Sequence, residues 1–375
     1  MGNHPRKYAK SGGTCAVLLA VAAMCFVLLR REGDMLFRAQ ELSLFLCSRH
    51  FFETLCIYPG GTLSWLSCLA TTAFHSRVET FVMLYLLWGA CCMMVVRVFR
   101  LCGWWKLLAL LLPMALLACM VQTGYWLYCQ KLPGHLMVPT LGMSVSLACA
   151  SIHSRLRKRS PSLAVAWMVV TASIGYPLLG AWSFAGTALM TWPQEWKREE
   201  WGTRIALPAA LGLLLIALVP QIAYTHFYSQ VEQAQLYRAA MPTFGIGNDD
   251  YPQYRLPYYA VALSFLPAML LRLKPESWLT RGWQQAVVAL VLTGTGLWGV
   301  SRVWYTDGNF HREIRQSRAI EAQDWEGVLR IAREPSATGP TRIMVLNRNV
   351  PATRCSTTAR ATRRPAPRGS YMSRR

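Results

Sequence analysis

Runs of sixteen or more residues without a single Asp, Glu, Lys or Arg recur along this chain, at 14–29, 80–96, 107–122, 136–152 and 205–224, with near-uncharged stretches at 258–271 and 284–304. Sixteen to twenty helical residues span about 24–30 Å, which matches the hydrocarbon thickness of a bilayer. Only helices and closed barrels satisfy their backbone hydrogen bonds there. The runs are too long and too evenly apolar for the alternation of barrel strands, so the fold class is all-α: a polytopic α-helical membrane protein. Composition agrees, with 53% apolar and 15% charged residues, against about 25% charged in an ordinary soluble domain.

None of the 18 acids falls inside an apolar block. A carboxylate at the bilayer centre costs several kcal/mol and is kept mainly for function, so an ion-coupled transporter with a midplane carboxylate is disfavoured, and no internal repeat points to one either. The net charge of +21 reads as topology, because Lys and Arg gather in short segments between apolar blocks. No nucleic-acid partner follows from it. The twelve cysteines form no CxxC or zinc-type spacing and mostly sit in apolar runs as small hydrophobes.

Taken in order, residues 1–13 are a polar cytoplasmic amino terminus and 14–304 a transmembrane helical domain. The run at 14–29 is an uncleaved signal anchor, and 31–79 is a first long outer loop. The basic segments at 97–106, 153–160, 193–204 and 272–281 are inside. Residues 162–192 are too long for one span and are broken by Gly175-Tyr176-Pro177, which favours a tight helical hairpin. A second outer loop covers 225–257. The total is about nine transmembrane helices, within a range of eight to ten, with Thr62–Phe74 as an additional short or re-entrant segment. Segments assigned inside carry twice the Lys and Arg of those assigned outside, which sets the orientation and puts the carboxyl end outside.

From 305 to 350 the pattern changes. Ile314, Ala319, Ile320, Trp325, Val328, Leu329 and Ile331 recur at helical spacing, and Asp324 has the chemistry of an N-cap. Two short helices follow, a short extramembrane hairpin like a partial unit of a tetratricopeptide solenoid, which needs neighbours to bury its face. Residues 351–375 hold seven Arg and no acid, a disordered basic tail. The abrupt shift at Asn349-Val350 leads to the expectation that this tail is out-of-frame translation of a longer helical protein.

Candidate chemistry concentrates in the first loop. Multi-pass transferases that use polyprenyl-phosphate donors place an acid in such a loop, as base or metal holder near an anionic headgroup. Asp34 and Glu41 are the candidate catalytic residues, seven positions apart and so able to share a helix face. Arg38, Arg49 and His50 are the candidate substrate-binding residues for a phosphate. Against this, 35–56 is an amphipathic segment, with Met35, Leu36, Leu42, Phe45, Leu46 and Phe52 apolar, suited to lie in the membrane interface. The histidines are scattered, Asp249-Asp250 lacks a third ligand in register, and no nucleotide, zinc-protease or serine-hydrolase signature occurs. Neither a metal nor a cofactor is expected.

The pattern Gln40-Glu41-Leu42 with Phe45, Phe51 and Phe52 and then Pro59-Gly60-Gly61, the break Gly175-Tyr176-Pro177-Leu178-Leu179-Gly180, and Asp324-Trp325-Glu326 leading into Asn347-Arg348-Asn349 resemble a family of uncharacterised polytopic membrane proteins of Bacteroidota-type bacteria, a domain of unknown function. The likeness covers roughly residues 14–350. The resemblance implies a bacterial inner-membrane location and a helical, tetratricopeptide-like continuation, and it assigns no chemistry to any residue. The expectation is therefore an envelope assembly or interaction component, in contact with the lipid bilayer and with a protein partner through the C-terminal helical segment. The alternative is a polyprenyl-phosphate-dependent glycosyltransferase-like enzyme, and a transporter comes third.

Overall fold

The apolar runs fold as helices, and their ends meet in two groups. The computed structural model describes residues 4–192, 206–246, 249–273 and 282–334, and the chain divides into two units, Met1–Tyr305 and Thr306–Arg375. In the first unit the helices are α1 (His4–Leu42), α2 (Arg49–Cys56), α3 (Gly61–Thr71), α4 (Arg77–Val98), α5 (Leu111–Val121), α6 (Trp126–Cys129), α7 (Val138–Arg159), α8 (Pro161–Ser173), α9 (Gly175–Leu179), α10 (Trp182–Thr191), α11 (Leu207–His226), α12 (Leu256–Leu263), α13 (Leu266–Leu273) and α14 (Gly282–Val303). A 3-10 stretch, Gly103–Leu110, leads directly into α5. Apart from a two-residue antiparallel bridge joining Gly245–Ile246 to Asp249–Asp250, the regular structure among the described residues is helical.

Five stretches among the described residues are long and apolar enough to cross a membrane: Gly12–Leu42, Arg77–Val98, Gly103–Val121, Leu207–His226 and Gly282–Val303. The other apolar blocks form helices that are shorter, interrupted or more polar. In 161–191 the interruption is Ile174 and then Gly180, whose φ of 62 and ψ of −138 lie where glycine alone is comfortable. In 256–273 it is Ser264-Phe265, ahead of Pro267, whose ring supplies no N–H to an unbroken helix.

Pairwise contacts give each helix a direction. Gly33 faces Arg77 while Gly13 faces Gly103, so α1 and α4 run antiparallel. Trp88 Nε1–H donates to Thr140 Oγ1 at 3.4 Å and Cys91 Sγ lies 3.1 Å from Ser144 Oγ, so α4 and α7 run parallel. Trp167 Nε1–H donates to the Cys149 carbonyl at 3.1 Å, which sets α8 against α7. Gly142 and Ser146 meet Trp182 and Gly186, so α10 runs with α7. Gly103 and Leu111 meet Gln285 and Gly296, and Gly124 meets Tyr305, so α14 runs with α5.

The centre is the Gly103–Val121 stretch, in which every residue from Leu112 to Val121 is buried. A helix apolar and covered on all sides belongs inside a bundle. It packs against α1, α4, α12 and α14. Between membrane helices close approach and hydrogen bonding hold the contact, since lipid tails are as apolar as the side chains. Gly142 illustrates this, because a Cβ there would lie 2.5 Å from Trp182 Cγ.

The second unit is a helix pair, α15 (Gly308–Glu321) and α16 (Trp325–Arg333). Asp307 caps α15 through Asn309 N–H at 2.8 Å, and Asp324 caps α16 through Gly327 N–H at 2.9 Å. Arg312 and Arg315 both reach Glu334 and, through the Arg315 hydrogen bonds first, hold its carboxyl below the usual range. The tail at 351–375 and the pattern Asn347-Arg348-Asn349 lie outside the described residues.

Candidate functional site

The end of α1 carries the acids singled out above, and it is helix rather than loop. Residues 31–42 contain no proline and present Glu32, Met35, Leu36 and Ala39 to the protein interior, an i, i+3, i+4, i+7 stripe. The amphipathic segment expected over 35–56 is thus two elements. Met35 and Leu36 are 2% and 1% exposed, packed within the bundle, whereas Leu42, Leu46 and Phe52 remain exposed.

Asp34 and Glu41 do fall on one helix face, but their backbone positions are about 10 Å apart along the axis. Each lies close to a guanidinium. Arg38 Nη1–H donates to Glu41 Oε2 at 2.7 Å, and Arg77 Nη2 lies 3.9 Å from Asp34 Oδ1. Arg38 also stacks over the Tyr128 ring at 5.8 Å. Arg49 and His50 belong to α2, which packs on α3, and both are exposed. Arg49 Nε–H donates to Glu53 Oε1 at 2.7 Å. Of the five residues, Arg38 and Glu41 pair with each other, Asp34 lies near Arg77 and Arg49 pairs with Glu53.

One acid escaped the sequence reading. Glu32 is 3% exposed and accepts a hydrogen bond from Trp304 Nε1–H at 2.7 Å, while Arg31 lies over the same indole at 5.0 Å. This ties the end of α1 to the end of α14. The available signal was its place in the buried stripe, one turn ahead of Leu36.

The two glycine motifs meet in space. Gly60 N–H donates to the Pro177 carbonyl at 2.8 Å, and Ala181 N–H to the Ala239 carbonyl at 2.9 Å. Trp182 Nε1–H donates to the Ala240 carbonyl at 3.1 Å and Tyr176 Oη–H to the Leu236 carbonyl at 2.9 Å. Gly60, Gly180 and Ala240 have φ of 84, 62 and 59, so three left-handed residues from three connections touch at one point. Gln230 Nε2–H donates to the Ile57 carbonyl at 3.0 Å, adding a second tie. Nearby connections join the same layer: Gln130 Nε2–H donates to the Thr243 carbonyl at 3.0 Å, and Trp126 is ringed by Phe244, Tyr251 and Tyr254.

His135, in the connection between α6 and α7, is 6% exposed with Nε2 lacking a hydrogen-bond partner. Burial pushes its imidazole down to about 4, against an upward pull from the Leu132 backbone. Among the described residues no three His, Cys, Asp or Glu converge as metal ligands. The side chains of Asp249 and Asp250 lie outside the described residues.

These features define an all-helical protein with several membrane-length apolar helices and a layer of interlocked connections at one end of the bundle. The chain belongs to a family of unknown function, DUF6057, whose model matches residues 7–351. No curated protein and no solved structure matches it.

Proposed function

We propose that this is a bacterial inner-membrane protein that serves envelope assembly as an interaction component, with the layer of interlocked connections and the α15–α16 unit on the extracytoplasmic side. One observation carries the reading: the acids at the end of α1 are engaged by the protein's own Arg38, Arg77 and Trp304, Arg38 within α1 and the other two joining α1 to α4 and to the end of α14. A general base or metal holder needs a carboxylate open to its substrate, so a polyprenyl-phosphate glycosyltransferase using Asp34 and Glu41 is the weaker alternative.

Nine passes through the bilayer fit best, and two sets of contacts support them. Lys106 Nζ–H donates to Thr14 Oγ1 at 2.7 Å, and Gly103 adjoins Gly13 and Gln285, which groups one set of helix ends. The contacts of Asp34 with Arg77, Glu32 with Trp304, Tyr305 N–H with the Val121 carbonyl, and Gly60 with Pro177 group the other. Every helix direction given above is satisfied by alternating between these groups, and Lys and Arg favour the first as the cytoplasmic side.

The test is labelling in intact cells with an impermeant thiol reagent, using Glu53→Cys and Lys158→Cys in a background without native cysteines. Both positions are exposed. Labelling at 53 and not at 158 is expected, and the reverse pattern overturns the orientation and the proposed role with it. For the partner, p-benzoylphenylalanine at the exposed positions Glu326 and Arg330 should give a discrete protein adduct in cells. Lipid adducts alone, or none, would remove α16 as the contact.

A further inference from the structure

Between Leu42 and Tyr58 the chain leaves an unusual amount of apolar surface open. Leu42, Leu44, Leu46, Phe52, Ile57 and Tyr58 are 43%, 64%, 48%, 37%, 47% and 58% exposed, and α2 has no buried residue. Such a patch is out of place in water. The segment also has a definite polarity. Around α2 the residues Arg49, His50, Glu53 and Thr54 occupy one side, and Phe51, Phe52, Leu55 and Cys56 the other, as 100° steps require. The apolar side leads to a cluster in which Phe45 and Phe52 meet Trp65 edge-on at 5.3 and 5.8 Å. On the polar side Arg49 and Glu53 pair at 2.7 Å, so the helix brings almost no net charge to whatever covers it.

Its height along the bundle is fixed. The Gln230 bond to Ile57 and the Gly60 bond to Pro177 tie this segment to the chain just beyond the end of α11, a membrane-length helix, and to the short α9 between α8 and α10. The open surface continues onto α3 through Leu66 and Leu69, 39% and 41% exposed.

We propose that residues 42–58 form an interfacial paddle whose occupant is the lipid of the adjacent leaflet. Leu44, Leu46 and Phe52 enter the acyl boundary, Tyr58 sits at headgroup level as aromatic anchors do, and Arg49 and His50 face the phosphates. Lipid is the partner chosen because the surface is amphipathic, nearly neutral, held at the level of the helix ends and continuous with side chains of α3 that face outward. The paddle rests on the membrane reading of the bundle and is indifferent to which compartment it faces.

The test is spin-label accessibility in the full chain reconstituted into phosphatidylcholine–phosphatidylglycerol vesicles. Labels go at Leu44→Cys, Leu46→Cys and Phe52→Cys, with Arg49→Cys and Glu53→Cys as polar-side positions and Leu297→Cys on α14 as a lipid-facing reference. Oxygen should reach 44, 46 and 52 several-fold more readily, relative to a water-soluble nickel chelate, than it reaches 49 and 53, at depths of about 5–10 Å. Equal nickel access at all five overturns the paddle. Nickel access at 297 as well would instead sink the membrane reading itself. In the native-cysteine chain, p-benzoylphenylalanine at Leu46 gives a second readout: a lipid adduct supports the paddle, and a protein adduct or none at all overturns it.

Discussion

The contact of Gly60, Gly180 and Ala240 is where single residues matter most. A Cβ at Gly60 would lie 2.5 Å from Ala240 Cβ, whereas a Cβ at Gly180 would lie 2.5 Å from the Ala239 carbonyl oxygen. A side chain can be trimmed and a backbone carbonyl cannot. Gly60→Ala and Gly180→Ala should each cost about 1–3 kcal/mol, as left-handed backbone strain does, and lower the midpoint of thermal unfolding in micelles. Ala240→Gly alone should be close to neutral, because relief of about 1–2 kcal/mol of left-handed strain is offset by a lost methyl and a freer unfolded chain. Combined, it should recover part of the Gly60→Ala loss and little of the Gly180→Ala loss, and equal recovery in both pairs would sink this account. His135 gives a pH dependence. Its folded value of about 4 lies below the unfolded value of about 6.5, so between the two the unfolded chain binds a proton that the folded one refuses. Stability should therefore fall on acidification from about pH 6.5 to 4, by up to about 3 kcal/mol. His135→Gln should flatten that part of the profile, and an unchanged profile would assign the acid sensitivity elsewhere.

At the scale of elements, what could be read beforehand was what depends on local chemistry. Asp324 caps α16 because its side chain is short enough to reach Gly327 N–H, and Gly327 has no Cβ to obstruct it. Asp324→Ala should cost about 1 kcal/mol, seen as faster amide exchange through Trp325–Arg333 with the exchange of α15 less affected. The hairpin at 162–192 was legible in kind but misplaced by a few residues. Pro177 sits in the first turn of α9, where a missing N–H leaves nothing unsatisfied, so the chain reverses at Gly180 instead. The extent of α1 was hidden for a different reason. Residues 31–42 mix charges with apolar positions, which reads equally as an interfacial loop or a helix end, and only packing against α4 and residues 72–75, together with the Trp304 bond to Glu32, decides between them. The same long-range packing hides Glu32, whose indole partner is 272 residues away, and the contact of Asp34 with Arg77, whereas the pairing of Glu41 with Arg38 is local to α1.

For the molecule as a whole, the remaining question is how the orientation is set, and α7 offers a way to measure it. Arg155, Arg157, Lys158 and Arg159 close that helix, and they have two effects. They favour the negative end of the helix dipole, and they form the densest basic segment between apolar blocks, which in the proposed orientation acts as a cytoplasmic retention signal. Removing all four as Gln abolishes both effects, but the two predict different readouts. Loss of the dipole interaction would cost each helix end about 0.3–1 kcal/mol at most and leave every chain in one orientation. Loss of the retention signal would shift the inside-to-outside ratio of Lys and Arg from two to one toward three to two, still the same sign but a weaker bias. Labelling at Glu53→Cys in this background should therefore drop to a partial fraction, with labelling appearing at Ser162→Cys in the remainder. Full labelling at 53 with none at 162 would show that the other basic segments suffice, and that the four residues serve α7 alone.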